Sequence, residues 1–574
     1  MFNFELYKEG LRKTKVWGVL FGIAMLMGAL IQPISHLASH ADNLRRAAEH
    51  DWWHVEPILR IRGLDAFVLM PLTFIIAVPF LTLTIFAFLN GRNSSDFYHA
   101  IPHKRETLFI SFLGSILTWS LGILFVTTTI STGIYASSAY TNVYFGSIFM
   151  TLLSTVVISI LVMSGITLAM AATGTTLSNI AAAGLILFLP RLLIWMFVAL
   201  VEARTPVIGF SNFAQWVMPR FNLLFGFFDN QFHFGERLSG ATIYTFLLGL
   251  IYLVLAGYFF KKRHSELASN PGSKWSQPII RVALTFALTL PALTMILQYE
   301  DIRTVFIFYM IAFVGYFAYE VFTTRKIHSL KKMLPGLGIV ILLNIVFGVG
   351  IGIASRYFMR EIDVARITSA VVDLEANWGG NYVVLNMGQI EITDAQVARL
   401  LGEELNEFID GDIRPGNSHR VAVMFTFDDG RQMNRVLHLT LYSEFVAWLM
   451  SYEPYRELHL RIPQNFHSAW SWPGDLTQAQ IQSVLNVLAV ELQEIDFKDW
   501  YLLVGTFSHR GWFWDDATSD WADFEMPVEH GNIELSGMVG NQSYWSHFPI
   551  TELTPRTLAL YLSYVNDADG YEGD

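Results

Sequence analysis

The chain has 574 residues, of which 53% are hydrophobic and 15% charged, against about 25% charged in an ordinary soluble domain; with a mean hydropathy of +0.40 it does not read as a soluble globule. It contains no cysteine, which excludes disulfides, thiolate nucleophiles and thiolate metal sites. The net charge of −11 hides an asymmetry: residues 1–356 carry 26 basic and 16 acidic side chains, whereas residues 357–574 carry 12 and 33, a balance that does not attract nucleic acid.

A bilayer core needs roughly 20 apolar residues per helical span. Nine segments qualify, at about 17–34, 67–89, 108–131, 146–171, 180–201, 241–260, 280–297, 305–322 and 336–353. They are too many and too long to be a signal peptide. Basic residues fall in alternate connections: Lys8, Arg12, Lys13 and Lys15; then Arg92, Lys104 and Arg105; then Lys261, Lys262, Arg263 and Lys274; then Arg325, Lys326, Lys331 and Lys332. By the positive-inside rule these lie in the cytoplasm. The N-terminus is then cytoplasmic and the acidic C-terminal domain extracytoplasmic, in a multi-pass protein of the cell membrane. Against the rule, the first outer connection holds Arg45, Arg46, Arg60 and Arg62, and the stretch 173–179 holds no basic residue.

Pro71 and Pro79 are expected to kink the second span. Pro190 and Arg191 fall at mid-depth in the fifth. A buried arginine is costly unless it is paired, snorkelling or facing a polar cavity, so Arg191 is a candidate polar site inside the membrane, and this hairpin can also be re-entrant. Glu320, near the inner end of span eight, is the other charge at depth. The connection 201–239, with Phe213, Trp216, Phe221, Phe227 and Phe228, reads either as an interfacial element or as ordinary loop packing.

The connection 90–108 is predicted to hold a short helix starting near Asp96, capped by Ser94 or Ser95 and stopped by Pro102. Its Phe97, Tyr98 and Ile101 suit either lipid headgroups or a partner protein. The run Asp96, Phe97, Tyr98, His99, Ala100, Ile101, Pro102, His103, Lys104, Arg105 resembles the Asp-Phe-Tyr-His-(Ser/Ala)-(Leu/Ile)-Pro-x-(Lys/His)-Arg signature of ABC-2-like permease subunits of Gram-positive ABC transporters. The resemblance implies that Asp96, Phe97, Tyr98, His99, Ile101, Pro102, Lys104 and Arg105 form a coupling helix received by a separate ABC ATP-binding subunit. It also implies a six-span permease core over 1–260, three additional spans over 261–356, an outer domain over 357–574, and an elbow helix at 4–15. A second permease chain, identical or related, is expected. The chain has no Gly-x-x-x-x-Gly-Lys-(Ser/Thr) loop, so the resemblance places ATP and Mg on the partner, with no cofactor, metal or catalytic residue here.

In the tail, Ile367, Val371, Val372 and Leu374 suggest a strand, as does 381–390. Thr393 is expected to cap a helix over 394–409 that Gly411 stops. Segments 419–427 and 431–441, joined by Asp428–Asp429–Gly430, are predicted to form a hairpin. Helices are expected over 443–450 and 477–488. The domain is therefore α+β. His419 and His438 have no catalytic partner pattern. Asp515, Asp516, Asp520 and Asp523 lack the regular ladder of a calcium loop. Aromatic residues are dense: Trp470, Trp472, Trp500, Tyr501, Trp512, Trp514, Trp521, Tyr544 and Trp545 serve either a tryptophan-rich core or a sugar, peptide or cationic ligand.

The leading expectation is a permease subunit of an ATP-driven exporter, or of a complex giving resistance to an antibiotic or envelope ligand. The alternative is a receptor or scaffold whose outer domain binds such a ligand without transport.

Overall fold

The computed structural model describes residues 2–49, 57–208, 223–226, 240–270, 276–296, 302–324, 333–374, 382–411, 419–439, 443–464, 466–472, 476–504, 514–515, 520–521, 527–539 and 542–569. The chain forms two units. The first holds Met1–Asp42, Glu56–Arg204 and Phe213–Ala354; the second holds Asn43–Val55, Thr205–Asn212 and Ser355–Asp574.

The first unit is helical, and eight helices among the described residues are long and apolar enough to cross a membrane. They are α1 (Phe4–Glu49), α4 (Arg105–Ala136), α5 (Phe145–Ala172), α6 (Thr176–Arg204), α8 (Gly240–Lys262), α9 (Ser276–Thr294), α10 (Ile302–Thr324) and α11 (Leu334–Phe358). Between them lie α2 (Val78–Ile85), α3 (Arg92–Ala100) and the single turn α7 (Leu223–Gly226). The chain is a polytopic α-helical protein with a C-terminal α+β domain. The expected elbow at 4–15 is not a separate element: α1 runs unbroken for 46 residues. Its first half packs closely on α4: a Cβ at Gly10 would strike Ser115 and one at Gly18 would strike the Trp119 ring. The fifth predicted span is a continuous 29-residue helix, α6, with Pro190 inside it. Residues 209–222 and 227–239 of the connection 201–239, including Phe213, Trp216, Phe221, Phe227 and Phe228, lie outside the described residues.

The second predicted segment, 67–89, is not one helix. It is built from a 3-10 turn at Gly63–Ala66, a π turn at Thr73–Ala77, α2 and a second 3-10 turn at Ala87–Asn90. Pro71 and Pro79 lack N–H donors, so a regular ladder cannot pass through them; Pro79 sits in the first turn of α2, where none is needed. The segment nevertheless runs from one end of the unit to the other. At its start, β1 (Leu59–Ile61) pairs in parallel with β2 (Thr141–Val143), which follows α4. At its finish, the Leu89 carbonyl shares the Arg263 guanidinium with the C-terminal carbonyls of α5.

The second unit has two sheets. One has the order β4-β3-β5-β6, all antiparallel, from β3 (Ile367–Asp373), β4 (Gln389–Ile392), β5 (His419–Phe427) and β6 (Gln432–Leu439). The helix α13 (Ala395–Asp410) packs Leu401 and Leu405, both fully buried, against it. The predicted hairpin forms in register, with Gly430 at φ 76° closing the turn. Gly411, at φ 91°, ends α13 as expected, but the cap is Asp394, not Thr393. The predicted strand over 381–390 is instead the short helix α12 (Tyr382–Met387), ended by Gly388 at φ 58°, followed by β4. Its Val383 and Val384 are buried neighbours, a pattern that alternation along a strand cannot give. The helices α14 (Glu444–Ser451) and α15 (Glu453–His459) follow, the first capped by Ser443.

The second sheet has the order β11-β10-β7, from β7 (Phe466–Trp472), β10 (Glu529–Val539) and β11 (Gln542–Thr551). A two-residue pair, β8 (Trp514–Asp515) and β9 (Asp520–Trp521), falls between β7 and β10 in the chain, while Trp512, Asp516 and Asp523 lie outside the described residues. Helices α16 (Gln478–Glu491), α17 (Phe497–Val504) and α18 (Pro555–Asp569) complete a core around Leu485, Leu488, Trp500, Ile533 and Ile550. Thr477 and Gln480 cap α16 reciprocally. The buried Glu491 carboxylate accepts the backbone N–H groups of Arg556 and Thr557, each at 2.8 Å, at the start of α18. Burial raises its pKa, but these bonds and the Thr557 hydroxyl outweigh burial and leave it below the usual value.

Two buried histidines set an acid limit for this unit. His438 stacks on Phe408 with ring centroids 4.3 Å apart, donates to the Pro206 carbonyl, and is pushed down to about 4 by burial. His459 sits among Tyr455, Phe497 and Tyr501 and is pushed down to about 3 by burial. The unfolded chain takes up both protons near pH 6.5 while the folded chain refuses them. Stability is therefore full above about pH 6.5 and falls as the pH drops toward 4 and 3. His459→Phe is expected to move the acid unfolding midpoint, followed by near-ultraviolet circular dichroism, to lower pH; an unchanged midpoint would count against this account.

Candidate functional site: the loop end of the helical unit

Three connections meet at one end of the first unit: residues 89–105, 170–179 and 261–270. Their hub is Arg263, 3% exposed, directly after α8. Its Nη1 donates to the carbonyls of Met170 at 2.6 Å, Ala171 at 3.0 Å and Thr173, and its Nη2 donates to Leu89 at 2.8 Å. The last carbonyls of a helix have no intrahelical donor, and a cation suits the negative end of the dipole. One side chain thus closes both α5 and the 3-10 turn before α3. Burial pushes its pKa down to about 10, so it stays charged at neutral pH. In turn Arg105 donates to the carbonyls of Lys261 and Arg263, and Lys261 pairs with Glu106 at 2.6 Å.

Asn90 completes the lock. Its Oδ1 accepts from Asn179 at 2.9 Å, and its carbonyl accepts from Ser269 at 3.1 Å. The Ser269 N–H donates to the Gly174 carbonyl at 3.0 Å. A Cβ at Gly174 would collide with the Leu267 carbonyl, so these two backbones meet only because that residue is glycine.

The predicted coupling residues lie on and after α3. The helix starts at Arg92 with Gly91 as its cap, earlier than the sequence suggests. Neither serine caps it: Ser94 donates to Phe88 and Gly91 carbonyls, and Ser95 is fully buried. The helix ends at Ala100, with Ile101 extended before Pro102, the geometry a following proline enforces. His99 lies on the same helix, Lys104 is the N-cap of α4, and Arg105 opens it. Tyr98 seats the helix. Its ring lies 4.4 Å from Phe88 and 5.9 Å from Phe112, with the Lys13 ammonium 4.2 Å from its centroid. Phe97 meets the Tyr98 ring edge-on at 5.3 Å, yet is 66% exposed and follows the exposed Asp96.

A second polar centre ties α6, α9, α10 and α11 together. Arg281 pairs with Glu320 at 2.7 Å, both side chains under 10% exposed, and Gln277 donates to the same carboxylate at 2.9 Å. The Arg281 guanidinium lies 4.9 Å from the Tyr316 ring, and Tyr316 donates to the Met333 carbonyl at 2.6 Å. Tyr319 donates to Ser178 at 3.3 Å. Gly336 leaves the room that Tyr316 needs. Arg191, the predicted membrane-interior site, is 4% exposed on α6.

Sequence reasoning missed Arg263 and Arg281. Arg263 reads as the third member of a Lys-Lys-Arg interface cluster. The one clue was the stretch 173–179, which has helix-end carbonyls and no cation of its own. Among the described residues no group of His, Asp or Glu is arranged to hold a metal ion. No family model, no curated protein and no solved structure matches the chain.

Proposed function

We propose that the chain is the permease subunit of an ATP-driven ABC exporter or envelope-resistance complex, coupled to a separate ATPase by the 90–108 loop. The observation that carries this reading is Phe97: a large apolar side chain 66% exposed on a helix that Tyr98 holds firmly in place. An exposed aromatic on a rigid, charged-flanked helix suits a protein pocket, because aromatic anchors dominate such interfaces. The alternation of basic connections supports a cytoplasmic position for this end, where an ATP-binding subunit would be, and an outer position for the acidic domain. The Arg263 and Asn90 bonds give a mechanical reason for the coupling. A push on α3 reaches α5, α6 and α8 through hydrogen bonds rather than through a flexible loop. ATP and Mg would belong to the partner, and a second permease chain would complete the complex.

The test is affinity isolation of the solubilised complex from its native membrane, followed by mass spectrometry and an ATPase assay. Phe97→Asp is the clean variant, since Tyr98 also holds the fold. Co-purifying ATPase activity that falls at least about tenfold in Phe97→Asp, with unchanged thermal stability, is the expected result, in line with loss of an interface anchor. Stable wild-type protein without any ATP-binding chain would sink the proposal and favour the receptor or scaffold.

A further inference from the structure

The three-stranded sheet of the second unit has one face in the core and one outside. Ile533, Leu535, Phe548 and Ile550 form the inner face. On the outer face the register sets Glu534 between Trp470 and His547, Ser536 beside Trp545, and Asn532 beside Trp472. The three tryptophans are exposed by 40% (Trp470), 53% (Trp545) and 68% (Trp472). Contiguous aromatic surface of this kind is uncommon without a ligand or partner. Trp470 donates its ring N–H to Glu534, and the Trp470 and Trp545 rings lie 6.2 Å apart at 33°. His547 stands between two carboxylates, 3.4 Å from Glu534 and 3.7 Å from Glu529.

The charge is one-sided. The three strands contain two glutamates and neither lysine nor arginine. A carboxylate beside exposed indole rings is complementary to an ammonium or guanidinium group, which gains from both the charge and the ring quadrupoles. The excess of acidic residues over 357–574 raises the local concentration of cations around it. We propose that this face binds a basic peptide, with an arginine or lysine side chain seated against Glu534 and the rings of Trp470 and Trp545. The assignment is independent of whether the helical unit engages an ATPase.

The experiment titrates fluorescein-labelled hexa-arginine against the purified full chain by anisotropy, at about 0.15 M salt, where exposed long-range attraction is screened. Trp545→Leu and Glu534→Gln are each expected to weaken binding by about fivefold or more, in the range of one lost cation–ring or charge contact. Glu457→Gln, an exposed acid on α15, should change it less than about twofold, as screened surface charges do. Thermal melts of both variants at the wild-type midpoint exclude misfolding. Equal loss in all three variants, or none with Trp545→Leu, would reveal only attraction to an acidic domain and overturn the site. Binding of chitotetraose rather than hexa-arginine, with the same Trp545 dependence, would make the face a glycan platform and overturn it too.

Discussion

Arg263→Met is expected to destabilise the helical unit by about 3–5 kcal/mol, because each buried carbonyl left without a donor costs about 1–3 kcal/mol. Four carbonyls on two elements lose their donor at once, and none can turn to water because the site is sealed. Arg263→Lys should recover only part of this, because a single ammonium cannot span Leu89 and the end of α5 together. The measurement is thermal unfolding of the chain in detergent, with cysteine pairs across 90 and 269 reporting on the loop end. Methionine and lysine variants that melt together with wild type would show that the carbonyls find other partners. If the coupling proposal is right, the lysine variant should also lose more ATPase stimulation than stability, since it keeps the fold but slackens the link between α3 and α5.

The membrane half was legible because its signals are large and local. Runs of about 20 apolar residues and alternating basic connections need no tertiary context. What resisted was the segment around Pro71 and Pro79, whose composition says span while its backbone must change helix type. In the tail, turn chemistry carried the reading: Asp428–Asp429–Gly430 and Gly411 each demanded one geometry and got it. Residues 382–387 failed because a short apolar run suits strand or helix equally, and only packing against the second sheet, through Tyr382 on Tyr544, decides it. The polar hubs were invisible for a different reason. The partners of Arg263 are backbone carbonyls about 90 and 174 positions away, and carbonyls leave no mark in a sequence. Phe97 was legible as apolar and surface-lying, but the division of labour between Phe97 and Tyr98 came only with the packing.

The Arg281–Glu320 pair makes the second large prediction, and its sign depends on how it is broken. Arg281→Leu alone removes the ion-pair partner of Glu320, 6% exposed, and leaves the neutral Gln277 amide donating to it. The expected loss is about 3–5 kcal/mol. The double variant Arg281→Leu with Glu320→Leu removes both charges together. It should recover most of that loss, because two paired charges withdrawn from water bring little net stability over apolar side chains of similar size. Gln277 then loses its acceptor but sits at the first turn of α9, where it can turn toward solvent. Thermal melts of the four proteins give the coupling energy directly. A double variant as damaged as the single one would mean that Arg281 acts mainly through its contact with the Tyr316 ring, 4.9 Å away, and through the Gly336 approach that it packs beside. A stable double variant that has lost the proposed ATPase coupling would give the pair a different meaning: a charge pair joining α9 to α10 at the same end as the Arg263 hub, kept for the motion it permits rather than for the stability it gives.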